Sequence, residues 1–531
     1  MIGGLLAVMT LSSAGGSWSQ PVAPPIPQFP PGPDFVGVAG SAAETARIAA
    51  LCGPNRNVGD GYTPTPAFPG QTRAPIVNGT QGYAVEHVAD IDRPFGMDFL
   101  PDGKMLVSFR NGGMRIVTRD GVVSEPLANV PQVINPRLGS GMYDVLADRD
   151  FAHNRTIYFT FHTRFAGDAV AMGRIASARL SADERSLEAV KVLREGVDIE
   201  PRRIVQARDG TLLIFSFGDL ADVGADPQKL ESQAGKVLRI NTDGTIPRDN
   251  PFLSNPTANP AVWALGFRDI HAAFVHPRTG ALWAAENEPK GGDELNLIRA
   301  GRNYGFPVIS YGRQNSGALI NGGKTAQEGM EQPLYYWTPS IAPSGMALYT
   351  GDAFPKWKDN IFIGAMSGQQ LVRLQMNGER VVAEEKLLMD RCQRIKIVKQ
   401  GPEGDLYILT DQLPPKQNEI LRLVPAKDTP PRRTPGAAGS PTNQAPVPSP
   451  VSSAGTGSDL AVGRAVYDRA CAGCHGSQGA GGAAPRIAGR TDASVVAAVV
   501  RSGQGQMPPL GAVLSTADIE AVSRYLAQLT P

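Results

Sequence analysis

The sequence predicts a mainly β chain, a β-propeller through its long middle section, followed by a small all-α domain. Three observations lead there. Tight-turn signals recur at short intervals through the middle of the chain, and the runs between them alternate or are β-branched. Beyond a linker rich in Pro, Ser and Ala, apolar residues switch to helical spacing. The composition agrees: 60 Gly and 45 Pro with only 19% charged residues suit many short strands and turns better than long helices.

The elements follow in order. Residues 1–19, MIGGLLAVMTLSSAGGSWS, are a short apolar stretch and then small residues, which reads as the back half of a secretory signal. Residues 20–75 form a Pro/Gly-rich extension that opens on QPVAPPIPQFPPGP. In residues 76–425 the turns are Pro101-Asp102-Gly103, Arg119-Asp120-Gly121, Arg208-Asp209-Gly210, Thr242-Asp243-Gly244, Arg278-Thr279-Gly280, Met376-Asn377-Gly378 and Pro402-Glu403-Gly404. Such pairs supply the positive φ that tight hairpins need. The runs beside them are KMLVSF, MRIVT, TLLIFSF, KVLRI, ALWAA, LVRLQ and DLYILT. Hairpins spread over this length fit radial blades better than a two-sheet sandwich, which is shorter, or a TIM barrel, which needs helices between strands. Residues 426–458 are a linker too poor in large apolar residues to fold alone, and residues 459–531 are the helical domain.

Charge and cysteine content narrow the function. With 51 Lys+Arg against 50 Asp+Glu, the chain lacks the basic excess of a nucleic-acid binder. No apolar run approaches the ~20 residues that span a bilayer. Four cysteines are too few for a disulfide scaffold. Cys52 and Cys392 either pair, tying the N-terminal extension to the propeller, or remain thiols.

The other two cysteines lie in Cys471-Ala472-Gly473-Cys474-His475, the spacing of covalent haem c attachment. Two thiols add to the haem vinyl groups, and the adjacent His475 imidazole reaches the iron. A zinc or redox pair would want a second Cys/His pair, and none is near. Met507, in Gly505-Gln506-Met507-Pro508-Pro509, is the expected second axial ligand. Leu460, Val466 and Tyr467 before the motif are expected to be buried, as are Ile519, Val522, Tyr525 and Leu526 after it, with Thr516 as helix cap. The whole resembles a class I cytochrome c, whose His/Met ligation raises the iron potential and suits electron transfer. Covalent haem attachment is extracytoplasmic in bacteria, so the expected location is periplasmic or secreted.

Three strings in the middle section are more specific. They are GKVLRINTDGTIPRDNPF from Gly235, WALGFRD from Trp263, and GGDELNLI from Gly291 with GRNYGFP from Gly301. Together they resemble the soluble PQQ-dependent glucose/aldose (sorbosone-type) sugar dehydrogenases, over roughly residues 85–424. The resemblance implies a six-bladed propeller with the quinone near its axis and calcium bridging quinone to protein. Backbone carbonyls of a Gly-Pro pair hold that calcium in the family, and the matching pair is Glu288-Pro289. The family's quinone-pairing Arg-x-Arg falls on Arg394-Ile395-Lys396, and its cofactor-facing hydroxyl on Ser340.

The catalytic base departs from the family pattern, which is His, three residues, then Arg. The Arg is Arg203, but the His position is Ile199. Glu200 and His271 are the two candidates to replace it. The expected function is therefore an exported quinohaemoprotein that oxidises a sugar or related alcohol through PQQ, with electrons passing by haem c to an external acceptor. The alternative is a propeller without quinone chemistry that acts as a docking module for the cytochrome, which the replaced His favours.

Overall fold

The structure is a computed structural model. It describes residues 61–133, 141–164, 171–218, 227–412 and 417–426, and near the C-terminus 463–464, 466–467, 471, 487, 493–502 and 516–529. The chain divides into two compact units, Met1–Arg432 and Arg433–Pro531.

The first unit is a six-bladed propeller. Strand β1 (Tyr83–Ile91) comes first in the chain but belongs to the last blade. Blade 1 holds β2 (Pro94–Phe99), β3 (Met105–Phe109) and β4 (Met114–Val117). Blade 2 holds β5 (Met142–Ala147), β6 (Thr156–Thr163), β7 (Met172–Leu180) and β8 (Leu187–Gly196). Blade 3 holds β9 (Pro201–Gln206), β10 (Leu212–Ser216), β11 (Lys236–Ile240) and β12 (Val262–Leu265). Blade 4 holds β13 (Ile270–Val275), β14 (Leu282–Glu286), β15 (Asp293–Ile298) and β16 (Tyr335–Trp337). Blade 5 holds β17 (Pro343–Leu348), β18 (Ile361–Ala365), β19 (Gln370–Asn377) and β20 (Arg380–Leu387). Blade 6 holds β21 (Ile395–Gln400), β22 (Leu406–Thr410) and β23 (Asn418–Pro425), and β1 completes it, with Tyr83 opposite Pro425 and Ile91 opposite Asn418.

The turn chemistry explains these hairpins. Each of the seven turn glycines read from the sequence has φ between +61° and +94°, where a side chain would be strained. The turns between the first two strands of blades 1, 3 and 6 close alike, with the Gly103, Gly210 and Gly404 N–H donating to the carbonyls of Leu100, Ala207 and Gly401.

The inner strands, such as β3, β10, β14 and β18, are buried on both faces because the blades stack on one another. Ile175, Ile199, Ile204, Leu212 and Leu238 fill the space between blades 2 and 3, and Met97, Val107, Tyr407 and Leu409 that between blades 6 and 1. Innermost strands β2, β5, β9, β13, β17 and β21 lie each against the next, and β21 returns to β2, closing the ring. Tyr335, Tyr336 and Trp337 form β16, the outer strand of blade 4. All three are buried, so the run serves blade packing, with Trp337 Nε1 donating to Glu384 at 2.9 Å.

Residues before β1 bind across the outer edges of blades 4 and 5. Gln71 is fully buried and its amide donates to the Pro333 carbonyl at 3.0 Å, while Ile76 bridges to Glu384. Cys392 is disulfide-bonded, and Cys52, the partner considered above, lies outside the described residues. His153 sits in a one-turn helix, α1 (Phe151–Asn154), with its side chain 83% exposed.

In the second unit the described helices are α2 (Ala493–Ser502) and α3 (Thr516–Gln528). Val466, Tyr467, Cys471, Val500, Ile519, Val522 and Leu526 form its buried cluster, with Tyr525 packed beside it. Residue 463 is helical and touches α3 so closely that a Cβ there would lie 2.2 Å from the Ala521 carbonyl oxygen, which only Gly463 permits. No described helix is long and apolar enough to cross a membrane.

Candidate active site

Every innermost strand breaks register near its N-terminal end. The irregularities fall between Pro94 and Met97, Met142 and Val145, Pro201 and Arg203, Ile270 and Ala272, Ser344 and Met346, and Ile395 and Ile397. Such bulges re-aim side chains that a regular strand would point elsewhere. The residues they release include Phe95, Tyr143, Asp144, Arg202, His271 and Lys396, one or two from every blade but the fifth, where the bulged residue is Gly345. Two of the bulges also need glycine. A Cβ on Gly96 would lie 2.9 Å from the Asp144 Cα, and one on Gly345 would lie 2.6 Å from the Ile397 Cα.

These side chains meet at the axis in one cation-rich cluster. Lys396 Nζ stands 4.2 Å above the Phe95 ring, 3.3 Å from His271 Nδ1 and 3.9 Å from Met366 Sδ. Its amine is held well below the usual lysine range by burial and by Arg110, Arg203 and Arg202, with Asp411 opposing them. Arg203 donates from Nε to the His271 carbonyl and from Nη1 to Asp144, both at 2.8 Å. Its Nη2 is buried without a hydrogen-bond partner. Arg110 pairs with Asp411 at 2.9 Å and lies 5.1 Å over Phe95. Arg394 donates to the Asp411 carbonyl at 2.9 Å and is the most exposed member, at 27%.

The two candidate bases sit in different surroundings. His271 is enclosed: Nδ1 faces Lys396, and Nε2 lies 3.1 Å from Asp269 Oδ2. A carboxylate only accepts, so Nε2 carries the proton and Nδ1 accepts from Lys396. Burial pushes the imidazole down to about 3, against Asp269, which would raise it, and with Lys396, which lowers it further. Asp269 is depressed despite its burial, because His271, Arg202 and Arg268 outweigh desolvation. Glu200 stands just before β9 with its side chain 14% exposed. It pairs with Arg202 at 2.9 Å and accepts from the Tyr143 hydroxyl at 3.1 Å. Ile199, one residue earlier, points into the apolar layer between blades 2 and 3.

Beside this cluster lies a shelf of buried acids. Asp293 accepts from Ser340 Oγ at 2.8 Å and from the backbone N–H of Ile341 (2.7 Å), Ala342 (2.9 Å) and Glu288 (2.9 Å). Burial still raises it to about 6 against those bonds. Glu288 is buried, and its Oε2 has no hydrogen-bond partner. Burial and then Glu286 drive its carboxyl well above the usual range. Pro289 is half-buried next to it. Among the described residues, no group of three or more His, Cys, Asp and Glu side chains is arranged to hold a metal. Arg268 links shelf and axis: its backbone N–H donates to Glu286 and its Nη1 to the Asn287 carbonyl, while its charge helps to depress Asp269.

The structure therefore gathers Glu200, Arg203, His271 and Lys396 at the axis, reaches Arg394 through Asp411, and sets Ser340, Glu288 and Pro289 on the acid shelf. In the second unit Cys471 is buried and its N–H donates to the Tyr467 carbonyl at 2.8 Å. Cys474, His475 and Met507 lie outside the described residues. Sequence reasoning missed Arg202, Tyr143, Asp144, Asp269, Phe95 and Arg110. Five of them stand at or beside the first residues of an innermost strand, and that shared place in the blade repeat was the available signal.

Comparison with known proteins fits this geometry. Residues 91–422 match the family described as Glucose / Sorbosone dehydrogenase, and residues 458–526 match Cytochrome C oxidase, cbb3-type, subunit III. The aldose sugar dehydrogenase YliI of Escherichia coli is 35% identical over 344 residues, covering 63% of this chain and 91% of that protein. A crystal structure of the soluble aldose sugar dehydrogenase from Escherichia coli in the apo-form aligns with TM-score 0.60 and 33% identity, over 65% of this chain and all of that one. The PQQ-bound aldose sugar dehydrogenase of Streptomyces coelicolor aligns with TM-score 0.52 and 25% identity, over 65% of this chain and 99% of that one. This chain belongs to the glucose/sorbosone dehydrogenase family and carries a C-terminal cytochrome c domain.

Proposed function

We propose that the chain is an exported quinohaemoprotein dehydrogenase that oxidises a sugar, an aldose or a sorbosone-like aldehyde or alcohol, with PQQ as the first electron acceptor and covalent haem c as the second. The observation that carries it is the buried cationic axis. Arg203 holds an unpartnered N–H donor there, and Lys396 sits against three arginines. A planar polycarboxylate such as PQQ would satisfy that donor and relieve that charge. The PQQ-bound Streptomyces relative supports the same choice.

Arg203, Lys396 and Arg394 would hold the quinone, and carbonyls of Glu288 and Pro289 would hold calcium, whose charge the unpartnered Glu288 carboxyl would welcome. Bound there, the quinone supplies a two-electron acceptor and the calcium a Lewis acid. The chain's own residues orient and handle protons. Asp293 fixes the Ser340 loop against the shelf, and Arg203 ties blade 2 to blade 4 beneath the axis. Cys471, Cys474, His475 and Met507 would hold the haem, and because both units share one chain the transfer to it would be intramolecular. Electrons then leave to an external acceptor. Periplasmic or secreted placement rests on the haem motif and the first 19 residues.

The test adds PQQ and calcium to the haem-loaded protein and follows the haem absorption bands with a panel of sugars. Sugar-dependent haem reduction is expected. A docking propeller without quinone chemistry is the second reading, favoured by Ile199 in the family's His position. Failure to take up the quinone would establish that reading instead.

A further inference from the structure

Resting on the dehydrogenase reading, we propose that the proton acceptor is Glu200 Oε2, and that Tyr143 and His162 are positioning residues that aim it. Among the described residues, the two side chains that hold the Glu200 carboxylate, Tyr143 by a hydrogen bond and Arg202 as an ion pair, reach the same oxygen. Tyr143 Oη and Arg202 Nη2 stand 3.1 and 2.9 Å from Oε1. The second oxygen, Oε2, has no protein partner among the described residues. A carboxylate clamped through one oxygen presents the other in a fixed direction, which is the arrangement of an oriented base.

Tyr143 is itself held. His162 Nδ1 lies 2.9 Å from its hydroxyl, with the rings edge-on at 5.7 Å between centroids. His162 is on β6 opposite the bulged start of β5, and its N–H donates to the Gly141 carbonyl at 2.6 Å. The hydrogen positions follow from Glu200. An ionised carboxylate only accepts, so the Tyr143 hydroxyl donates to it, and the hydroxyl oxygen must then accept from His162. His162 therefore carries its proton on Nδ1.

The rival base is occupied. Both His271 ring nitrogens are committed, one to Lys396 and one to Asp269, inside a site where its side chain is 6% exposed. Glu200, just before β9, is 14% exposed and its Oε2 makes no hydrogen bond among the described residues. The step then balances. The O–H proton of the sugar hydroxyl passes to Glu200 Oε2. The hydrogen on the same carbon leaves with its electron pair as hydride to the quinone, and the carbon is oxidised by two electrons to a carbonyl.

The test has two arms on the full chain. In the first, 15N-histidine NMR without quinone reads the ring tautomer. The chain has six histidines, and the His162 signal is assigned by its loss in His162→Gln. The Nδ1–H tautomer is expected in the wild type, and Nε2–H in Tyr143→Phe, which lacks only the hydroxyl. In the second, with quinone and calcium bound, Glu200→Gln is expected to lower kcat by on the order of 10²–10⁴-fold. Tyr143→Phe should lower kcat by less, with KM unchanged. An Nε2–H tautomer in the wild type overturns the proposal, as does a Glu200→Gln variant within about threefold of wild-type kcat. A wild type that oxidises no sugar sinks the dehydrogenase reading and with it Glu200 as base, while the tautomer still reports the clamp.

Discussion

Asp144→Ala should destabilise the propeller by about 4 kcal/mol. Asp144 and Arg203 are 5% and 6% exposed, and they meet at 2.8 Å. Asp144 Oδ2 also accepts from the Ile204 N–H at 3.1 Å. Removing the carboxylate leaves a buried guanidinium with one remaining bond, to the His271 carbonyl. Breaking one partner of a buried pair costs about 3–5 kcal/mol, and an unpaired buried N–H about 1–3 more, with partial overlap between them. Replacing both charges should restore much of the loss, so Asp144→Asn with Arg203→Gln should be far less damaging than the sum of the single changes. Urea unfolding followed by tryptophan fluorescence is the assay. It reports this unit, because Trp263, Trp283, Trp337 and Trp357 all lie in the propeller. A loss below 1 kcal/mol for Asp144→Ala, or additive single and double variants, would refute the reasoning.

Other expectations follow from the same geometry. His271 is depressed to about 3 when folded against an ordinary 6.5, so the unfolded chain binds more protons between those values. Its contribution is present above pH 6.5 and is lost as pH falls toward 3. His271→Asn should flatten the decline of the urea midpoint between pH 6.5 and 4.5, and unchanged slopes would count against it. Gly345 and Gly378 have nearly the same φ, +63° and +61°, but an added Cβ meets the Ile397 Cα at 2.6 Å in the first and nothing within 4 Å in the second. Gly378→Ala should cost about 1–2 kcal/mol, and Gly345→Ala about 1–3 more, measured as urea midpoints. Met507→Ala should lower the haem reduction potential in a redox titration, since Met/His ligation raises it. An unchanged potential would remove Met507 from the iron.

The local parts of the fold were readable because they rest on local chemistry. An Asp-Gly or Asn-Gly pair needs only its own backbone, so Gly103, Gly210 and Gly404 marked hairpins that the structure contains. KVLRI and DLYILT became β11 and β22 for the same reason. Closure by β1 was not readable, because pairing Ile91 with Asn418 depends on ring geometry that no short window carries. The axis was half readable. Arg203, Lys396, His271 and Glu200 surfaced through a family pattern and its gaps. Arg202 and Tyr143 did not, because strands covered on both faces lose the alternation that tells inside from outside, and a bulge then shifts the count by one. Ile199 shows the cost: the sequence position of the family's base points into an apolar layer, while its neighbour Glu200 pairs with Arg202 of the cluster.

The borrowed first strand has a consequence for biosynthesis. Residues 83–91 emerge from the ribosome long before residues 418–425, with which they pair. At about 5–20 residues per second, the wait is roughly 15–65 s. Throughout that interval an incomplete ring has two sticky edges, one on the waiting segment and one on the newest blade. A chaperone that shields extended apolar segments, or translocation that outpaces folding, would be needed most in that window, and a nascent chain stalled just short of residue 418 should aggregate more readily than one stalled just past residue 425.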